Sequence, residues 1–395
     1  MKHNENGRVV IVCYSYSDNF AYMEQKLSQA FKKLGYQVTV LCSTANRIDA
    51  KNVVHVNSGE YITEHGYTVC RLKFIMGGHL PEHKLPIVLS GVYAKLCDIK
   101  PDIIYHMGIS VNLLDVKKYV KMNSDVKLFV DNHASYANSA HNFLSMVIQH
   151  KMLYRGIARS VMPYVKKFFY IAGAEKVFLE EVYRIPHNRM SLFALGDLCP
   201  DDAEYRAARV GIRKELDIDD KDIVLTISGK FTRQKATVEI IKAMKQITDK
   251  RPTFRVLIVG DVQDTSIEEE FIGLIESCDK RQVKHLGWKT SGELKRILCA
   301  SDIYVQASGS STFQTAVCCG CVGVAVDKEK TYSVYPEGLF TIVDSIKAMG
   351  EFVDDLVSHN SLAGIKTISF SMAKEELDYG AQITRELIEE YDDQG

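Results

Sequence analysis

The apolar positions of this chain fall into short runs separated by longer stretches of helical spacing. Residues 8–14, 37–42, 102–106 and 127–130 are nearly continuous apolar runs of strand length, as strands buried on both faces require. Between the first two, residues 19–34 place Phe20, Met23, Leu27, Ala30, Phe31 and Leu34 at helical steps, and Gly35 stops the pattern. Residues 80–86 read as a loop and 141–170 as a long helical region rich in Lys, Arg, Tyr and Phe. The second half repeats the scheme. Strands are predicted at 222–228, 254–260, 283–286, 302–306, 323–326 and 340–343, with a helix over 237–248 and helices between most of the others. A final amphipathic, acidic helix is predicted over 371–391. Residues 196–208, within GDLCPDDAEYRAAR, are polar and turn-rich and mark a boundary.

Strands alternating with helices of this length predict parallel sheets covered on both faces. The expected architecture is α/β, with two doubly wound Rossmann-like domains facing a central cleft. The expected domains are 1–200, 201–370 and a C-terminal helix at 371–395. In such sheets ligands bind beyond the carboxyl ends of the strands.

Composition adds limits. The chain has 395 residues, 46% hydrophobic and 25% charged, which is ordinary for a soluble globular protein and long enough for two domains. Of its ten cysteines, Cys318, Cys319 and Cys321 lie in an apolar run, and buried reduced thiols are expected rather than a zinc site or disulfides. The apolar run from Val9 to Cys13 reads as a first strand rather than a signal peptide. No stretch approaches the roughly 20 apolar residues of a spanning helix. A cytoplasmic location is expected. The net charge of −1 hides an asymmetry: residues 1–200 carry 24 Lys/Arg against 16 Asp/Glu, so +8, and the remainder carries the opposite excess. A basic half suits an anionic partner.

Three stretches carry candidate chemistry. In TISGKFTRQKATVEIIKAMKQI a buried strand ends at Gly229, and Lys230 and Lys235 flank a short loop opening a helix. Gly229 permits close backbone approach, and ammonium groups beside a helix N-terminus favour a phosphate. In ASGSSTFQTAVCCG, Gly309, Ser310, Ser311 and Thr312 form a small, hydroxyl-rich turn before a helix, a second anion cradle. Alone, the first reads equally as solvated loop charge and the second as an N-cap cluster. Strand ends at Gly260 and at Gly287 lie between them, and Trp288 is expected to pack. The segment 150–170, with Lys151, Arg155, Arg159, Lys166 and Lys167 among apolar residues, suits an anionic lipid surface or a solvated face. No compact aromatic–basic motif points to nucleic acid.

The order and spacing of these segments resemble the nucleotide-binding domain of glycosyltransferase family 4, of the two-domain GT-B fold. Gly229, Lys230, Lys235, Ala236 and Ala243 fall on the family spacing, with Ala236 in place of the usual glycine. VLIVGD, VKHLG and ASDIYVQAS follow in order; FKKLGYQVTVLC, IKPDIIYHMG, LFVDNHASY and IPHNRMSLFALGDL match the N-terminal half more loosely. The resemblance covers about residues 8–345.

It implies a glycosyltransferase that moves a sugar from a nucleoside-diphosphate sugar, expected to be a UDP-sugar, to a glycan, lipid-linked or protein acceptor. It implies no metal requirement and retention of configuration. Lys230 and Lys235 would hold the diphosphate, with Gly229 and the 309–312 turn. His133 would meet the donor sugar. Thr315, Gly260 and Gly287 would lie at the ribose or base, and Ser17, Asp18 and Asn19 on the acceptor side. The C-terminal helix would return to the N-terminal domain. Two departures stand out. Residues 15–19 replace the glycines usual after the first strand. The family's pair of glutamates before and within the helix after Thr312 is missing, with Thr315 where the second would stand. That absence keeps open a non-catalytic GT-B partner subunit of a glycosyltransferase complex; a GT-B sugar-nucleotide epimerase is the third reading.

Overall fold

The computed structural model describes residues 7–18, 20–47, 52–76, 87–140, 142–307, 309–327, 330–359 and 361–389. Asn19, His141 and the loop expected at 80–86 lie outside the described residues. The chain divides into two compact units, Met1–Ala194 with Gln382–Gly395, and Leu195–Ala381.

The first unit is built on an eight-stranded sheet. Its strands are β1 (Arg8–Val12), β2 (Gln37–Ser43), β3 (Gly59–Ile62), β4 (Thr68–Leu72), β5 (Ile103–His106), β6 (Lys127–Asn132), β7 (Val165–Tyr170) and β8 (Met190–Leu192), in the order β8-β7-β6-β5-β1-β2-β4-β3. All neighbours pair in parallel except the β3 edge, which runs antiparallel to β4. Val10, Val12, Ile104, Leu128 and Val130 are fully or almost fully buried beneath the covering helices, which explains their unbroken apolar runs. Helix α1 (Met23–Lys33) buries Leu27, Ala30 and Phe31, the stripe its spacing predicts.

Two expected elements are corrected. Within 141–170 the helical part is an irregular, wide-turned helix, Ser145–Tyr154, continued by Arg155–Val161. After the short turn Met162–Tyr164, which holds Pro163, the chain becomes β7. Proline stops the helix, and Val165, Phe168 and Phe169 are buried as β7 pairs with β6. The final helix is also broken. Leu362–Glu376 ends before Asp378 bridges Asp197, and Tyr379–Ile383 and Thr384–Glu389 follow. The second part lies in the first unit, where Gln382 donates to the Ala194 carbonyl (3.2 Å) and Ser191 to Glu386 (3.1 Å).

The second unit carries six parallel strands: β9 (Ile223–Phe231), β10 (Phe254–Val262), β11 (Val283–His285), β12 (Ile303–Gln306), β13 (Val322–Val326) and β14 (Thr341–Val343). Their order is β11-β10-β9-β12-β13-β14, so chain order reverses between β9 and β12. The turn-rich boundary proves partly helical: α2 (Asp202–Glu215) is started by a reciprocal cap in which Asp201 accepts from the Glu204 amide and Glu204 from the Asp201 amide. It also positions a buried charge cluster. Asp302 accepts from Arg209 (2.8 Å), Arg213 (2.8 Å) and Lys366 (2.7 Å), tying α2 and the Leu362–Glu376 helix to the start of β12.

Candidate functional site

The reversal of strand order between β9 and β12 opens a crevice at their carboxyl ends, because the following loops depart to opposite faces. Both candidate phosphate loops leave this point. Lys230 stands at the end of β9 and Lys235 in the turn after it, before α3 (Thr237–Thr248); after β12 comes the 309–312 turn, opening α4 (Ser311–Cys318).

The floor is backbone. Gly229 and Gly260 pair across β9 and β10 at φ +131 and +136, conformations that L-residues avoid. A side chain on Gly260 would place its first carbon 1.9 Å from the Gly229 carbonyl oxygen. Gly260 therefore lets the strand ends close up; its amide donates to the Gly287 carbonyl (2.9 Å), with Gly287 at φ +65. His285 shares the Gly260 carbonyl (2.8 Å). Trp288, expected to pack, is instead 44% exposed just past β11.

Lys235 lies over this floor: its Nζ is 3.5 Å from where a Gly229 side chain would begin. Burial, and secondarily the positive charge of Lys230, hold the Lys235 ammonium below the usual lysine range. No carboxylate pairs with Lys235 among the described residues. An anion arriving beside the Lys235 ammonium would favour its charged form, which burial and the Lys230 charge disfavour. Ala236 begins α3 at φ +50, doing with strain what glycine would do freely.

In α4, Ser310 is the N-cap and accepts from the Thr312 amide (3.2 Å), and the first turn holds no acidic residue. Gly309 and Ser311 are exposed. Thr315 is buried, and its hydroxyl donates to Asp197 (2.9 Å), which also pairs with Lys295 (2.9 Å). Its hydroxyl is thus engaged inside the unit, anchoring α4 to the segment after residue 195. Phe313 packs on Tyr332 and Phe340.

In the first unit, His133 lies one residue beyond β6. Its Nε2 is 2.9 Å from Asp131, whose side chain is fully buried while that of His133 remains 37% exposed. Burial lowers the affinity of His133 for a proton, but the Asp131 charge and hydrogen bond outweigh it, so the imidazole titrates above the usual histidine range. Asp131 also accepts from the Gly108 amide (2.7 Å). Glu24, at the first turn of α1, belongs to the same electrostatic cluster: burial pushes its carboxyl up to about 7, its own backbone and His133 pulling the other way. Asp131 and Glu24 were not singled out from the sequence. The signal for Asp131 was present, since residues two apart on a strand share a face.

The remaining positions serve more locally. Ser17 donates to the Arg47 carbonyl (2.7 Å), and Asp18 pairs with buried Arg71 (2.9 Å) and accepts from Asn46 (3.0 Å). Both brace the loop after β1. In the basic segment Lys151, Arg159 and Lys166 are exposed, and Phe143, Leu144, Ile148 and Met152 beside them expose 52–80% of their surface. No helix is long and apolar enough to cross a membrane among the described residues. All ten cysteines are free thiols, and eight of them are buried.

The family described as glycosyl transferases group 1 matches residues 209–335, the span of β9 to β13 and both loops. No curated protein matches the chain by sequence. Solved structures with the same fold include Anabaena HepE in complex with UDP and glucose, at 12% identity and TM-score 0.61, covering 97% of this chain and 100% of that one. They also include sucrose-phosphate synthase from Thermosynechococcus elongatus, at 14% identity and TM-score 0.58, with 95% and 96% covered. The pneumococcal O-GlcNAc transferase GtfA, in complex with UDP and GlcNAc, is similar at 11% identity and TM-score 0.57, with 97% and 99% covered. The chain has the GT-B fold of these glycosyltransferases, and its residues 209–335 match the glycosyl transferases group 1 family.

Proposed function

We propose that the protein transfers a sugar from UDP-sugar to a hydroxyl-bearing acceptor, without a metal and with retention of configuration. The observation that carries this reading is the departure of both candidate loops from one sheet reversal, with the Lys235 ammonium over glycine backbone and its charge disfavoured by burial and by nearby Lys230. UDP is the favoured nucleotide because the similar HepE and GtfA structures hold it. Lys230 and Lys235 bind the diphosphate, and the 309–312 turn binds its distal phosphate through hydroxyls and amides. As the bond to the sugar breaks, negative charge grows on the leaving diphosphate, and fixed cations and the α4 N-terminus stabilise that charge more than the ground state. His133, held by Asp131, donates a hydrogen bond to a sugar hydroxyl. Gly260 and Gly287 keep the strand ends low enough for the nucleoside.

The exposed patch Phe143, Leu144, Ile148 and Met152, beside Lys151 and Arg159, supports docking of the first unit on anionic lipid. Co-sedimentation with phosphatidylglycerol vesicles but not with phosphatidylcholine vesicles is expected; equal recovery with both removes the membrane from the proposal.

The test of the main reading is UDP release and sugar transfer by purified protein, compared with Lys230→Ala and Lys235→Ala. Both variants should lose most activity; full activity in both overturns the site. The carboxylate-free first turn of α4 favours a second reading, a subunit that binds nucleotide without turnover. UDP binding with no release of UDP from any UDP-sugar would select it.

A further inference from the structure

The carboxylate of Asp197 is the meeting point of three segments of the second unit. Its backbone is fixed first. The Asp197 amide donates to the Leu377 carbonyl (3.2 Å), and the Tyr379 amide donates to the Asp197 carbonyl (3.0 Å). Gly196 beside it lets the two segments close up, since a side chain there would place its first carbon 1.8 Å from the Leu377 carbonyl oxygen. The buried side chain is then held from two sides. Its Oδ1 accepts from Lys295 (2.9 Å), on the helix Ser291–Ala300, and from the Leu198 amide (2.8 Å). Its Oδ2 accepts from the Thr315 hydroxyl (2.9 Å) of α4. Burial disfavours the Lys295 charge, but the Asp197 carboxylate outweighs burial and holds that ammonium above the usual lysine range. The same carboxylate charge makes the Thr315 bond charge-assisted, and so stronger than a neutral one.

Thr315 joins this anchor to the 309–312 turn. Its hydroxyl also lies 3.3 Å from the Ser311 carbonyl, one helical turn back. Ser311 follows the Ser310 cap directly, so a shift at Thr315 carries into the turn. Gly309 and Ser311 are exposed, whereas Phe313 to Cys318 are buried. The exposed turn therefore takes its position from the buried part of the helix. A binding site needs such support, because its groups must be held to within about 0.5 Å by packing and by hydrogen bonds behind them.

We propose that Asp197 is a positioning residue for the 309–312 turn: acting through Thr315, it sets the amides and hydroxyls of that turn where the distal phosphate of a nucleoside diphosphate would lie. The proposal rests on the donor reading for the phosphate itself.

Isothermal titration of the whole chain with UDP and with UMP, which lacks the distal phosphate, tests it. The ratio of the two affinities isolates the turn, and UMP affinity on the same sample reports folding and the nucleoside site. Thr315→Val deletes the hydroxyl and keeps the branched shape. It should lower the UDP:UMP affinity ratio about three- to tenfold, the effect of one hydrogen bond, with UMP affinity little changed. Thr315→Ser keeps the hydroxyl and should keep the wild-type ratio. Asp197→Asn keeps the shape of the anchor but removes its charge, and should lower the ratio by a smaller factor. A merely structural role would weaken both nucleotides alike. A ratio within about twofold of wild type in both Thr315→Val and Asp197→Asn, less than one such bond contributes, overturns the positioning role. So does a Thr315→Ser variant as impaired as Thr315→Val. Wild-type protein that binds neither nucleotide overturns the donor reading, and this proposal with it.

Discussion

Replacing Lys235 by methionine separates a binding role from a structural one. The substitution keeps the aliphatic stem and deletes a charge that burial and Lys230 already disfavour. A hydrogen bond from a charged group to a phosphate contributes about 1.5–3 kcal/mol, so UDP affinity should fall about 10- to 150-fold. A bare Coulomb estimate of about 4 kcal/mol, for unit charges 4 Å apart at an effective dielectric of 20, bounds the effect from above. Folding stability should move the other way. In the folded protein without UDP the ammonium sits half-buried beside Lys230, so its removal should leave the melting temperature unchanged or raise it. The pH dependence follows from the same shift. Because the folded-state pKa is lowered, UDP binding raises it and takes up a proton, and wild-type affinity should decline as pH rises through that lowered value. The methionine variant should lose this alkaline component. Isothermal titration with UDP across neutral to alkaline pH, with thermal melts of both proteins, reads all three quantities. UDP affinity within about twofold of wild type, less than the effect of one such bond, would refute Lys235 as a diphosphate ligand. A large fall in melting temperature would refute the account of its electrostatics.

Other consequences are equally open to measurement. Gly260→Ala forces a carbon to 1.9 Å from the Gly229 carbonyl, so the strand ends must part, and UDP binding should be lost with a clear drop in melting temperature. Ala236→Gly relieves a left-handed alanine and should stabilise the second unit by about 1 kcal/mol in urea unfolding, without loss of UDP affinity. Asp302→Asn leaves the buried Arg213 guanidinium without its carboxylate and should cost about 3–5 kcal/mol. Since the Lys366 and Arg209 charges outweigh burial and hold Asp302 below the usual carboxylate range, its contribution is present above the unfolded pKa and lost as pH falls through the folded one; chemical denaturation at mildly acid pH checks it. Asp131→Asn removes what raises His133, so the imidazole NMR titration of His133 should move to lower pH. In the wild type that pair stabilises the fold below the unfolded histidine pKa and ceases to do so as pH rises through the folded value.

The parallel strands and the 237–248 helix were legible because each is decided by its own residues: continuous apolar runs for strands buried on both faces, and a 3.6-residue stripe for a helix buried on one. The strand, small residues and helix start that make up each of the two candidate loops were legible too, since these are local features. Strand β7 was not, because VKKFFY is short and only its pairing with β6 makes it a strand. The break at Leu377 was hidden for a similar reason, as it depends on a bridge to Asp197 far back in the chain. Thr315 took a partner 118 positions away, which no motif spacing announces. Sequence by itself determined which segments bury their side chains and where cations and glycines stand beside helix starts, because those follow from short-range periodicity and chemistry. Tertiary structure alone decided which polar atoms are satisfied, because hydrogen-bond partners are assigned by packing between distant segments.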